Sequence, residues 1–92
     1  MAYKIVITEP AAKELKRIPA KMQDRIFEKI QDLAEEPKPH GYKKLKNFDM
    51  PSSDQDDYYR IRVGDYRVIY TIGNEQIIIF VMKIAHRKDV YE

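Results

Sequence analysis

The amino-acid sequence predicts a compact α+β fold in which two helices cover one face of an antiparallel sheet. Residues 9–18 and 22–33 place apolar side chains at helical spacing, whereas residues 58–72 alternate between apolar and polar side chains as strands do. Residues 76–85 are almost continuously apolar, which is typical of a strand buried on both faces. We therefore expect an N-terminal strand, a two-helix hairpin and three or four further strands in a single domain spanning residues 1–92.

The first third of the chain accounts for one strand and both helices. Residues 3–8 alternate as a strand, after which Thr8 is positioned to cap a helix that Pro19 ends. A second amphipathic helix begins near residue 22 and ends before Pro37. The residues expected to face the core are Tyr3, Ile5, Ile7, Ala11, Leu15, Ile18, Met22, Ile26, Ile30 and Leu33.

The rest of the chain accounts for the other strands. Residues 43–48 are predicted to form a short strand, and residues 49–57 an acidic polar loop. A hairpin turning at Gly64-Asp65 follows, because glycine supplies the positive φ of a type II′ turn. Gly73-Asn74 then provides the turn into the last strand, residues 76–85.

Composition excludes several kinds of site. The chain contains no cysteine, so disulfides and thiolate metal sites are excluded, and its two histidines do not suggest a metal cage. We accordingly expect neither a metal nor a cofactor. The longest apolar run, residues 77–82, is too short to cross a bilayer, and the N-terminus lacks a signal-peptide pattern. These features predict a soluble, cytoplasmic protein without membrane contact.

The predicted hairpin has two chemically different faces. Its register sets Arg62 opposite Arg67, with Arg60 on the same face as both. Like charges in a direct cross-strand pair are unfavourable by up to about 1 kcal/mol, so this pair requires acidic neighbours or an anionic ligand. The other face, expected to pack in the core, consists of Tyr59, Ile61, Val63, Val68, Tyr70 and Ile72.

Clustered arginines on a rigid sheet suit phosphate recognition, because each guanidinium binds two phosphate oxygens and stays charged. A solvated charged face, paired with the aspartates of residues 54–57 or with Asp65, explains the pattern equally well. Near the end of the chain, His86, Arg87 and Tyr91 add acid–base capacity if they approach the same surface. Taken alone, such a histidine or tyrosine is more often a packing or surface residue.

Residues 59–70, together with residues 85–91, resemble the RelE branch of the RelE/ParE toxins, and the likeness extends over essentially the whole chain. Members of that branch are ribosome-dependent endoribonucleases that cut messenger RNA in the ribosomal A site. The resemblance implies two kinds of partner. One is the ribosome with its messenger and ribosomal RNA, and the other is a cognate acidic, RelB-like antitoxin that joins the toxin in a hetero-oligomer.

The resemblance also implies roles for individual residues. Arg67 matches the arginine that contacts the scissile phosphate, and Arg87 matches the arginine that helps to stabilise it. Tyr91 matches the tyrosine used in proton transfer or base stacking. Arg60 and Arg62 stand where well-known members have lysines, and all four arginines are expected to stabilise charge on the phosphate.

Those lysine-to-arginine departures affect the expected general base. Arginine is a poor base, so we expect Tyr91 or His86 to accept the proton while the ribose 2′-hydroxyl attacks the phosphate. The run formed by Lys43, Lys44 and Lys46 is expected to contact RNA.

Two alternative functions are compatible with the sequence. ParE-like relatives share the fold but inhibit DNA gyrase by binding, without cutting RNA. A protein whose basic sheet only binds an acidic partner would cause neither cleavage nor growth arrest. Retention of Arg67, Arg87 and Tyr91 favours the nuclease. The acidic loop at residues 49–57 either weakens RNA binding or neutralises the arginines in the free protein.

Overall fold

The computed structural model describes residues 2–45, 58–73, 77–86 and 88. The helices and strands in these ranges are β1 (Lys4–Ile7), α1 (Glu9–Lys16), α2 (Ala20–Asp32), β2 (Lys43–Leu45), β3 (Tyr58–Val63), β4 (Tyr66–Gly73) and β5 (Ile78–His86). The strands form one sheet in the order β1-β5-β4-β3-β2, in which β1 is parallel to β5 and the other neighbours are antiparallel. The predicted α+β fold is therefore confirmed, and the sheet is mixed because β1 joins it beside β5. Within the described ranges, neither helix has the length and apolar content needed to cross a membrane.

The sheet separates two faces. The helix face is the one covered by α1 and α2, and the arginine face is the one that carries Arg60, Arg62 and Arg67. Between the helices and the sheet lies the main core, whose members with no exposed surface include Ala11, Ile26, Ile30, Val68, Tyr70, Ile79 and Val81. The six hairpin residues predicted to face this core all pack in it, so the predicted alternation of the hairpin is confirmed.

The start of α1 follows Thr8 as predicted, but the Thr8 side chain does not cap the helix. Its hydroxyl instead donates a hydrogen bond of 2.8 Å to the carbonyl of Val81 in β5. β1 ends one residue earlier, so this hydroxyl meets the edge of β5 at the point where β1 stops. α1 itself ends at Lys16, and Pro19 becomes the N-cap of α2.

A second, smaller apolar cluster lies on the arginine face. Its buried members are Leu45, Tyr58, Ile69 and Met82, with half-buried Phe80 packed against them. β5 therefore contributes side chains to both clusters, as expected for a strand buried on both faces. The arginines consequently lie beside apolar side chains rather than on a wholly polar surface.

A bulge in β5 changes which of its side chains face the helices. β4 pairs Ile69 with Lys83 but Tyr70 with Val81, which leaves Met82 as an extra residue in β5. The alternation of side chains is shifted by one residue beyond this point. As a result Val81 and a residue three positions later, Ile84, both pack in the main core.

Three tyrosines attach the loop between α2 and β2 to the sheet. The Tyr70 hydroxyl donates a hydrogen bond of 2.6 Å to the carbonyl of Pro37. The Tyr59 ring centre lies 5.8 Å from that of Tyr70 and 6.0 Å from that of Tyr42, and the Lys38 ammonium lies 5.3 Å from the Tyr59 ring centre. Burial raises the pKa of Tyr70 well above its usual range, so its hydroxyl remains a donor.

Candidate functional site

The β3–β4 hairpin has the predicted register, with Arg62 directly opposite Arg67. Gly64 turns with a φ of +61° whereas Asp65 does not have a positive φ, which matches a type II′ turn and excludes type I′. A Cβ atom at Gly64 would lie 3.0 Å from the terminal methyl group of Met22 in α2. The turn thus favours glycine for its backbone conformation and for its close approach to the helix.

The central feature of the arginine face is the Arg62–Arg67 pair. Directly opposite residues in an antiparallel sheet have Cβ atoms roughly 5 Å apart, so both guanidinium groups can reach one anion. Arg62 is exposed and Arg67 is half-buried. On the other side of Arg67, the opposite residue in β5 is Ala85, whose small side chain adds little bulk beside the arginine.

Lys83 is a further cation of this face, and the sequence pattern did not predict it. It pairs with Ile69, which places it on the arginine face and diagonal to Arg67, at roughly 7–8 Å. Lys83 lies inside an apolar run, and regular alternation counted from Val81 would point its side chain toward the helices. The bulge at Met82 turns it toward the arginines instead.

Arg60 lies on the arginine face as predicted, but only 3% of its surface is exposed. Its cross-strand partners are Ile69 in β4 and Lys43 in β2. A buried guanidinium keeps its charge only where the surroundings satisfy it, so Arg60 forms part of the interior of this face. Contact between Arg60 and a phosphate would require the neighbouring side chains to move, which distinguishes it from exposed Arg62.

His86 does not lie with the arginines. It pairs with Tyr66, whose side chain packs against the main core on the helix face. The two rings have centroids 5.3 Å apart and are nearly perpendicular, at 82°. Nδ1 of His86 accepts a hydrogen bond of 3.2 Å from the backbone N–H of Lys88. The expectation that His86 approaches the arginine surface is therefore wrong, because the bulge at Met82 reverses the alternation of β5.

The predicted RNA-contacting lysines are only partly within the described residues. Lys43 and Lys44 are exposed in β2, and Lys43 extends the basic surface because it pairs with Arg60. The predictions that concern Lys46, the acidic loop at residues 49–57, Arg87 and Tyr91 fall outside the residues that the structure describes. Among those it does describe, histidine, aspartate and glutamate side chains form no group of three or more that could hold a metal ion.

The family model and the similar proteins of known sequence agree on one family of toxins. A family model described as the ParE toxin of the type II toxin–antitoxin system parDE matches residues 5–91. The putative toxin RelE1 of Methanocaldococcus jannaschii is 30% identical over 95 residues, covering 100% of this chain and 98% of the relative. The mRNA interferase toxin RelE of Escherichia coli is 27% identical over 90 residues, covering 96% of this chain and 86% of the relative.

Solved structures have the same fold. A chain of the archaeal RelE–RelB complex from Pyrococcus horikoshii OT3 is similar with a TM-score of 0.78 and 30% identity, over 98% of this chain and 100% of that chain. In the intact RelBE toxin–antitoxin complex of Escherichia coli, the TM-score is 0.72 at 24% identity, over 92% and 96% of the two chains, which supports the fold alone. Because the family model spans nearly the whole chain and the relative RelE1 matches over its full length, this protein belongs to the RelE/ParE family of toxins of type II toxin–antitoxin systems.

Proposed function

We propose that this toxin is an endoribonuclease that acts on ribosomes and cleaves messenger RNA in the A site. The observation that carries the proposal is the Arg62–Arg67 pair, held directly opposite each other on the β3–β4 hairpin. Two cations fixed at one point suit the negative charge that develops on a phosphate during cleavage. The Escherichia coli relative named mRNA interferase toxin RelE supports the same activity.

The proposed reaction uses the RNA's own nucleophile and no metal ion. The ribose 2′-hydroxyl gives its proton to a base as it attacks the adjacent phosphorus in line, the bond to the 5′ oxygen breaks, and an acid protonates the departing oxygen. The products therefore carry a 2′,3′-cyclic phosphate and a 5′-hydroxyl. Arg62, Arg67 and Arg87 stabilise the charge added to the phosphate, and Lys83 increases the local positive potential. Arg60 supports these groups from within the face, in keeping with its burial.

Tyr91 is the proposed proton-transfer residue. Arginine does not give up its proton readily, so neither Arg62 nor Arg67 is suited to act as the base. His86 lies on the helix face against Tyr66, on the opposite side of the sheet from the arginine pair. Of the two bases that the sequence suggested, Tyr91 is therefore the better candidate.

RNA binding is proposed to use both chemical parts of the arginine face. Half-buried Phe80, which packs against the smaller apolar cluster, provides a surface for base stacking on the same face as the arginine pair. Lys43, on this face, binds RNA phosphates. Lys44 and Lys46 are proposed to bind phosphates beyond it, since Lys44 pairs with Tyr59 and so lies on the other side of the sheet. Such binding is sensitive to salt. Since the substrate is on the ribosome, the activity belongs to the cytoplasm.

The proposed protein partner is a cognate acidic, RelB-like antitoxin that forms a hetero-oligomer with the toxin. The solved archaeal relative is itself a RelE–RelB complex, which supports this assignment. An acidic segment bound over the arginine face would neutralise Arg62 and Arg67 and exclude RNA from them. Binding of the antitoxin and inhibition of RNA cleavage would then depend on the same contact.

The test adds purified, antitoxin-free protein to ribosomes paused on a defined message and maps the RNA ends. We expect cleavage in the A-site codon, loss of cleavage with Arg67→Ala, and full cleavage with Lys4→Ala. Lys4 is a matched control because it is an exposed cation in β1, at the far edge of the sheet. A message with one deoxyribose at the cleaved position should stay intact, since it lacks the attacking hydroxyl. Cleavage of that message would contradict the mechanism.

Inhibition of DNA gyrase is the second candidate function, because the matching family model is that of the ParE toxin. It predicts an intact message in the ribosome assay and loss of supercoiling activity when the protein is added to gyrase. Arg67→Ala would leave that inhibition largely unchanged. A folded protein that affects neither RNA nor gyrase would instead support the binding-only alternative.

A further inference from the structure

A groove of about 950 Å³ lies at the outer edge of β3, on the side of the sheet occupied by β2. Its walls come from the end of α2, the loop that follows it, β2 and β3. Its charged and strand-edge residues include Asp32, Glu35, Glu36, Lys43, Ile61 and Arg62.

The floor of this groove is a strand edge. β2 pairs with β3 only from Tyr58 to Arg60. The chain before β2 turns away, because Gly41 has a φ of +90° and the N–H of Tyr42 donates to the carbonyl of Pro39. Within the described residues, no strand pairs with residues 61–63 on this side of β3. Such an edge exposes backbone donors and acceptors that pair with an extended chain.

The two walls carry opposite charges. On the helix side of the sheet plane, the end of α2 and the following loop present three exposed carboxylates, from Asp32, Glu35 and Glu36. Lys29 and His40 also line the groove, but the three carboxylates outnumber them. On the arginine side lie the exposed cations Lys43 and Arg62. Among the described residues, the walls are not joined by an ion pair.

A strand added to this edge would meet both walls. Successive side chains of a strand point to opposite faces of the sheet, so every second side chain would face the carboxylates and the others would face Lys43 and Arg62. Favourable contacts therefore require basic side chains in one set and acidic side chains in the other. RNA fits this groove poorly, because one wall would set its phosphates against Asp32, Glu35 and Glu36.

We propose that this groove binds an extended peptide segment with alternating basic and acidic side chains, which adds to β3 as a strand in line with β2. Backbone hydrogen bonds to residues 61–63 hold the peptide, and the oppositely charged walls determine which charge pattern of peptide binds. The site shares Arg62 with the arginine pair, but its carboxylate wall and the edge of β3 lie outside that pair, and the proposal holds whether or not the protein cleaves RNA.

The first test compares two labelled octapeptides of identical composition by fluorescence anisotropy with the full chain. In one peptide lysine and glutamate alternate, and in the other they occur in pairs, so that each strand face carries mixed charges. We expect the alternating peptide to bind at least 10-fold more tightly. Equal affinities, or tighter binding of a single-stranded RNA octamer that competes with the peptide, would overturn the proposal.

The second test locates the bound peptide. The double variant Glu35→Lys/Glu36→Lys should weaken binding of the alternating peptide at least 10-fold. The control Asp24→Lys/Glu28→Lys makes the same charge change at exposed positions of α2 outside the groove and should leave binding unchanged. Amide hydrogen exchange within residues 61–63 should slow when the alternating peptide is bound. Unchanged exchange, or equal losses in both double variants, would refute binding at this edge.

Discussion

The two faces of the sheet are built by the same strands but are stabilised differently. On the helix face, side chains from both helices and from β3, β4 and β5 enclose the main core. On the arginine face, a small apolar cluster lies beside cations, two of which, Arg62 and Arg67, oppose each other directly. The stability that the main core supplies can offset the repulsion between these two arginines. Period-two alternation thus allows one hairpin to stabilise the fold and to present a charged surface.

The largest expected difference between the faces is in stability. Ile30→Ala removes a side chain with no exposed surface from the main core, and should lower the free energy of unfolding by about 3 kcal/mol. Met82→Ala, in the smaller cluster on the arginine face, should cost about half as much, because that site is 8% exposed and less enclosed. Urea denaturation followed by circular dichroism measures both. Equal losses would mean that the two clusters contribute similarly.

A second comparison separates two arginines of the same strand. Arg62→Ala should reduce A-site cleavage on the order of 100-fold, since it removes one cation from the reacting phosphate. The same change should leave the free energy of unfolding within about 0.5 kcal/mol, because Arg62 is exposed. Arg60→Ala should instead destabilise the protein, because Arg60 is buried. Stable Arg60→Ala protein with wild-type urea sensitivity would contradict a structural role for Arg60.

A side chain of α1 hydrogen-bonds to the backbone of β5 beyond the end of β1. The backbone N–H of Ile84 donates a hydrogen bond of 3.1 Å to Oε1 of Glu14 in α1, beyond the point where β1 stops. Glu14→Ala should cost about 1–3 kcal/mol because a partly buried donor loses its acceptor. Glu14→Gln keeps an acceptor oxygen and should remain closer to the wild type in urea denaturation. If the two variants are equally unstable, the charge of Glu14 matters more than this hydrogen bond.

Tyr70 allows the helix face to be tested through pH. Its pKa is raised in the folded protein, so the folded state retains a proton that the unfolded state loses near pH 10, and stability should fall as pH rises above about 10. Tyr70→Phe should cost about 1 kcal/mol at neutral pH through the lost hydrogen bond to Pro37. Above pH 10 its stability should decline less steeply than that of the wild type. Equally steep declines would show that Tyr70 is not the responsible group.

The smallest effect is expected for His86. Its ring contacts Tyr66 on the helix face, so His86→Ala should cost about 1 kcal/mol of stability. Cleavage should fall by less than about 10-fold, whereas loss of a general base typically costs 100-fold or more. Tyr91→Phe in the same ribosome assay provides the comparison. A loss of 100-fold or more with His86→Ala would move the proton-transfer role to His86 and contradict its assignment to the helix face.

Much of the fold could be predicted because the relevant signals are local. The Gly64-Asp65 turn and the alternation around it predict the hairpin register, and this register is confirmed. The helical spacing of Ile26 and Ile30 likewise predicts the covered face, which is also confirmed. Side-chain hydrogen bonding was less predictable. Thr8 has the chemistry of a helix cap, yet its hydroxyl bonds to the carbonyl of Val81, 73 positions away in sequence.

The sequence by itself determined the fold class, the two faces of the hairpin and the opposition of Arg62 and Arg67, because each follows from short-range periodicity and turn chemistry. Only the tertiary structure decided that Lys83 joins the arginine face, that His86 leaves it and that Arg60 is buried. The physical reason is that these placements depend on pairing between distant strands. One extra residue at Met82 reverses the facing of every side chain after it in β5, and only the partner strand shows where that residue lies.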